Sequence, residues 1–544
     1  MYKIIISAAL LLSLFACAPA GQETKVTNKK AIQLGEVSFP VKGDKEAAAF
    51  FEKGLLLLHS FEYEDARAAF LKAQEIDANL VMAYWGEAMT YNHSLWQRQD
   101  KEKALAALNK LADNPEERAK LLGTDIEKDF FAAIEVLLGE GTKKERDIAY
   151  EKFMEGLTKK YPNNQEVAAF YAISLLGASR NGRDEVLYGK SANIVKGIIK
   201  ENPNHPGALH YLIHSYDDPA HAHLAKNAAD SYSKVAPDAA HALHMPSHIY
   251  VALGDWDNVV TSNIASWNAS VKRMERKELD NNARSYHAFN WLQYGLLQRG
   301  ELEKATGILE DMVQYTKEES SKKARGYLIA MKGAHLVETN NWEGAIADIA
   351  VDASDLNLVK KTNYDFIEGM KAYTQKDKTQ LKSIIKNSKK RRLKAMNVLS
   401  AEGPPMCSAG GFANKPPNQL DVDMAHIMEM ELQAYLATLS NDQESANEWF
   451  EKAIKLEETL NYSYGPPTIL KPIHEAYGEW LLDQQQAEKA LTIFEKALER
   501  QPRRLRSLQG KMEVAEMLEK QAVLMDVQEE LSKSTISKER QAIL

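Results

Sequence analysis

From Asp44 almost to the end of the chain, apolar residues recur at steps of three and four, and short polar turns punctuate them. No segment alternates with period two for long enough to build a sheet. The pattern predicts an all-α chain of short, antiparallel helices. A longer period lies on top of it. Gly54, Ala66, Phe70 and Ala73 return with the same spacing as Gly478, Ala490, Phe494 and Ala497, followed by Pro502. Ala434, Ala446, Phe450 and Ala453 keep most of that frame, and Ala225, Ala229, Pro237, Val259, Ala305 and Ala345 carry a degenerate version through the middle. Small residues at helix crossings let two backbones approach, and an aromatic ring fills the gap between them. Breaks fall at 114–122, 272–281 and 400–421; the last holds two Pro pairs and a Gly pair and cannot be helical throughout.

These spacings resemble the tetratricopeptide repeat, a helix–turn–helix unit that stacks into a solenoid. The resemblance implies an all-α, helical-repeat superhelix with a concave groove, lined by positions 2, 5, 9, 12 and 13 of the first helix in each repeat. It covers most of the chain and is nearly silent on function. It divides the sequence into a leader (1–16), a tether (17–43), N-terminal repeats (44–270), central repeats (271–399), the Pro/Gly-rich loop (400–421) and C-terminal repeats (422–544).

The stretch Asn204–Trp256 holds eight of the fourteen histidines. Two of its phrases share one form, His210-Tyr-Leu-Ile-His214 and His244-Met-Pro-Ser-His248, and they are displaced by 34 residues. An i, i+4 pair puts both imidazoles on one face of a helix. A 34-residue step puts the two pairs on equivalent faces of neighbouring helices. In the repeat frame His210 and His244 take position 5, His214 and His248 position 9, and Asp217 position 12. His210, His214, His244, His248 and Asp217 are therefore the candidate ligands for one transition metal, Zn, Cu or Fe. His93, His241, His287, Asn290, Glu475 and Glu479 also fall at groove positions, and Cys407 in the long loop has the chemistry to join them. Simple repeat duplication is the competing account of the paired phrases, and it is weakened by the divergence of the residues between the histidines. Neither phrase is HExxH, which argues against zincin-type proteolysis. Phrases such as YNHSLW, HPGALHYLIHSYDD and YGPPTILKPIHEAYGE look like a set of bacterial tetratricopeptide-repeat proteins without an assigned activity; the likeness supplies no catalytic residue.

Composition narrows the partners. The net charge is −8 and no basic stripe with interleaved aromatics appears, so a nucleic-acid partner is not expected. The densest basic run, Lys389–Arg392, reads as a solvated helix face. A short basic start and an apolar run from Ile4 lead to Leu14-Phe15-Ala16-Cys17, which resembles a bacterial lipobox despite the bulky Phe15. That resemblance implies cleavage before Cys17, its lipidation, and an envelope protein held on a membrane, the outer membrane facing the periplasm, by acyl chains. Cys407 would then be the remaining thiol. The expected function is a membrane-anchored binding protein with a metal or polar ligand in a His-lined groove, engaging a protein, peptide or small molecule. A metal-dependent enzyme and a plain interaction scaffold are the alternatives.

Overall fold

The computed structural model describes residues 32–179, 182–400, 416–462 and 465–534. The leader, Cys17 and Cys407 lie outside the described residues. The described chain is a succession of antiparallel helix pairs, with one two-residue bridge, Asn92–His93 with Arg98–Gln99, as its β-structure.

The first pair shows how the repeat works. Asp44 accepts from the backbone N–H groups of Glu46 and Ala47 and starts the helix Lys45–His59. The chain turns at Phe61 and runs back as Tyr63–Ile76. Phe70, fully buried, fills the space between the two helices and the next one; a side-chain carbon on Gly54 would lie 2.6 Å from its ring. Gly86, on the helix Val81–Met89, approaches the same ring from the other side. The late frame repeats this arrangement: Phe494 sits against Gly478 and Gly510. Burying each ring contributes roughly 2–3 kcal/mol, and the missing side chains let the helices close on it.

Four readings from sequence are corrected. The tether ends earlier than 43: Gln33 bonds to Asp238, the Glu36 N–H donates to the Asn204 carbonyl, and Phe39 packs on Phe51, Trp85 and Phe130. Apolar residues spaced through a polar segment were enough to anchor it. The helix Gln419–Leu439 starts inside the stretch assigned to the long loop, because Asn418 and Asp421 form a capping box. The repeat marked by Ala345 has only a stub, Gly344–Ala347, in place of its second helix. The basic run is only half solvated: Lys389 and Lys390 are exposed, whereas Arg392 is buried against Glu429 and Arg391 pairs with Asp365.

The buried apolar residues form two clusters, one from Leu34 to Tyr294 and one from Val260 to Val514. Among the described residues, no helix is long and apolar enough to cross a membrane.

Candidate functional site

The helix Pro206–Ser215 begins with Pro206 in its first turn and His205 as its cap, whose Nδ1 accepts the Ala208 N–H at 3.2 Å. Its neighbour in the next repeat is broken by Pro246 into Ala240–His244 and Pro246–Leu253. The following repeat opens with Tyr286–Gln298. These helices bring six imidazoles into one row. Ring centroids lie 5.0 Å apart for His210 and His214, 5.1 Å for His210 and His241, 5.5 Å for His214 and His248, 5.3 Å for His244 and His248, and 4.5 Å for His244 and His287.

The partners of these rings decide which nitrogen carries a proton. His210 Nδ1 lies 2.7 Å from the His59 carbonyl, which can only accept. His244 Nδ1 lies 2.7 Å from Asn263 Oδ1, and the Asn263 amide is already donating to the Val259 carbonyl. His214 Nδ1 and His248 Nδ1 lie 3.2 and 3.3 Å from the same oxygen, Asp217 Oδ2. In each case Nδ1 carries the proton, and on His210, His214 and His244 the Nε2 lone pair is left without a hydrogen-bond donor among the described residues. The Nε2 atoms of His210, His214, His241 and His244 are buried and have no hydrogen-bond partner among the described residues. Unmet lone pairs in a dry interior are costly, and here several are gathered in one place.

Burial pushes His210, His241 and His244 well below the ordinary imidazole range, and neighbouring histidines push the same way. Burial likewise lowers His248, against the pull of Asp217, and takes His287 down to about 3. Burial would raise Asp217, but the bonds from His214 and His248 hold it below its usual range. Clustered imidazoles beside a ring-orienting carboxylate are a donor set that could hold a metal ion.

Two aromatic rings wall the row. Phe61 lies 4.3 Å from His210 and 5.6 Å from His241, and Trp291 lies 4.8 Å from His244 and 4.7 Å from His248. Gly465, with φ +87°, lies against the outer side of Trp291, where a side chain would collide with the indole. Phe61 has φ 56°, a left-handed conformation unfavourable for a bulky residue. Gly254, Gly300, Asn340, Lys376, Asn441, Gln485 and Glu519 adopt left-handed φ at the corresponding turn of other repeats. The first repeat therefore places an aromatic where glycine or a polar residue serves elsewhere. Sequence reasoning missed Phe61 as a site residue; aligning it with Gly254 and Gly300 was the available signal.

Other candidates are placed differently. His93 lies beyond the end of its helix, in the short bridge, stacked 3.9 Å from Tyr63 and bonded through Nε2 to the Thr90 carbonyl. Burial lowers it to about 4. Asn290 is buried one turn after His287. Glu475 and Glu479 do not join the row: Glu475 receives Arg504 at 2.7 and 2.9 Å and Ser507 at 2.7 Å, and Glu479 pairs with Arg506 and Lys471. Arginines from the next repeat, out of reach of any local spacing argument, take both carboxylates. A further triad was also not foreseen. His59 Nε2 and His205 Nε2 donate to the two oxygens of Glu166, at 2.7 and 3.1 Å. His59 Nδ1 accepts from Tyr211, so the nitrogens of both rings are engaged. This triad is a support: it fixes the end of the helix whose His59 carbonyl orients His210.

With this geometry in place, comparison adds the family of the repeat. A tetratricopeptide-repeat model matches residues 47–80, the first helix pair. The fold is a tetratricopeptide-repeat solenoid. The chain is similar to solved structures of Ypp1 (10% identity, 90% of this chain and 88% of that one, TM-score 0.39), the Cut9–Hcn1 hetero-tetramer of the APC/C (10%, 88% and 78%, 0.36) and yeast Tom70 (13%, 92% and 95%, 0.29). At these scores the likenesses say nothing about chemistry or partners. No curated protein matches the sequence.

Proposed function

We propose that this tetratricopeptide-repeat protein is a binding protein that holds a transition metal in its histidine row. The observation that supports the reading is the set of buried Nε2 atoms on His210, His214 and His244, rings whose Nδ1 protons are committed to a carbonyl, to Asp217 and to an amide oxygen. A structural histidine uses both nitrogens, as His59 and His205 do; these leave one free for a Lewis acid. Imidazole donors suit Zn, Cu, Ni and Fe. Asp217 orients two rings and Glu475 is held by Arg504, so neither is left as a general base, which favours binding over hydrolysis. The repeat stack supplies the surface for a protein or peptide partner, and lipidation at Cys17 would hold the protein on a bacterial membrane.

The test is metal content by mass spectrometry on the full chain, purified in detergent without a His tag. Retained Zn, Cu, Ni or Fe that disappears in the His210→Ala, His244→Ala double variant supports the reading. Metal-free protein that takes up none of these ions on addition overturns it. Release of Cys17→Ser protein from membranes tests the anchor separately.

A further inference from the structure

The row is built from two copies of one three-imidazole unit. His210 and His214 come from positions 5 and 9 of one repeat, and His241 from position 2 of the next. His244 and His248 come from positions 5 and 9 of that next repeat, and His287 from position 2 of the one after. Within each set of three, one donor atom per residue lies within 4.8 Å of the other two. The four histidines of the paired phrases alone cut across these units; the repeat supplies three ligands per interface, twice.

We infer that the row holds two metal ions, one at His210, His214 and His241 and one at His244, His248 and His287. The inference rests on the metal reading above and adds the number and arrangement of the ions. Six imidazoles exceed what one four-coordinate ion accepts, whereas three imidazoles with an open fourth position form a complete first shell. The sets are joined at their inner members. His214 belongs to one and His248 to the other, yet both donate Nδ1 to the same Asp217 oxygen, and their rings are 5.5 Å apart. His241 and His244, also from different sets, are 6.1 Å apart. The two ions would therefore be neighbours with their open positions available to a shared ligand.

Charge identifies that ligand's class. Imidazoles bind metal ions in their neutral form, and Asp217, bonded to His214 and His248, is the carboxylate beside them. Two divalent ions would leave a large uncompensated positive charge in a buried site, which is unfavourable. A small oxygen-donor anion such as hydroxide, bound at the open positions between the ions, completes coordination and offsets charge together. Copper heads the affinity order for such nitrogen sites.

The experiment uses the full chain in detergent, stripped with a chelator and titrated separately with Cu(II) and Zn(II). After desalting, two ions per chain are expected, falling to one in His241→Ala and one in His287→Ala. Electron paramagnetic resonance of the copper-loaded protein should integrate to well below two spins, because adjacent Cu(II) ions couple, whereas each single variant should show one full, uncoupled signal. Saturation at one ion per chain, with either variant abolishing it, overturns the inference and leaves the metal reading standing. Two ions with a full two-spin signal would also overturn it, since the ions would then not be neighbours. No metal at all removes both readings. The wild-type stoichiometry and spin count decide the matter even where a variant fails to fold.

Discussion

Two regions of the solenoid, the cluster around Arg504 in the C-terminal half and the histidine row in the N-terminal half, bury polar side chains in opposite ways. In the C-terminal half, Arg504 is fully buried and its guanidinium meets Glu475 at 2.7 and 2.9 Å, Glu338 at 2.7 Å and the Tyr294 hydroxyl at 2.7 Å. The charges of this cluster are answered by opposite charges. In the N-terminal half, several buried lone pairs of the histidine row have no partner among the described residues. A matched network closes on itself and stiffens the fold. A row left open on one side has donor atoms to offer a ligand. Comparable burial therefore supports different conclusions for the Arg504 cluster and for the histidine row, and the partners of the buried atoms separate them.

The largest expected effect breaks the matched side. Arg504→Ala leaves Glu475 and Glu338 buried without their cation and should cost about 3–5 kcal/mol in denaturant unfolding, while the metal content of the folded fraction stays unchanged. Loss of metal in a folded Arg504→Ala protein would show that the halves are not independent. On the open side, Asp217→Asn should leave the fold intact and weaken metal affinity about 10–100-fold, read by competition with a chelator. Unchanged affinity would remove Asp217 from its orienting role.

Acid should separate the halves next. In the metal-free protein His210, His241, His244, His248 and His287 lie below their ordinary value of 6.5 when folded, so the unfolded chain protonates first. Their contribution is complete above about pH 6.5 and is lost as pH falls from there toward the folded values. Glu475 is lowered to about 2 by Arg504 against the effect of burial, so its contribution persists until pH falls below about 4.5. Glu431, buried and pushed well above 4.5, gains from the fall. Hydrogen exchange at pH 5 and pH 7, corrected for intrinsic rates, should show loss of protection in Pro206–Leu253 and none in Ile473–Met517. The smallest effect tests what the halves share. Gly54→Ala and Gly478→Ala each press a methyl against a buried phenylalanine ring, at 2.6 and 2.9 Å, and each should cost about 1–3 kcal/mol. A large gap between them would mean that the packing frames differ.

Much of this was legible in the chain. The Gly-x11-Ala-x3-Phe spacing reported the helix pairs because close helix crossings admit few residue types. The two HxxxH phrases reported a shared face because helical spacing is local, and the repeat frame put His241 and His287 on that face too. The division into threes was not legible, since it depends on how far position 2 of one repeat stands from positions 5 and 9 of the one before. Nor were the His59 carbonyl, Asn263 or Trp291, which reach the row from other helices, or Arg504, which takes Glu475 from the next repeat. By itself the sequence determined the helices, their period and the face on which the histidines stand, because these follow from steps of three, four and 34 residues along one chain. Only the tertiary structure decided which nitrogens are engaged and which carboxylates are already neutralised, because hydrogen bonds and ion pairs form between groups near in space, whatever their distance along the chain.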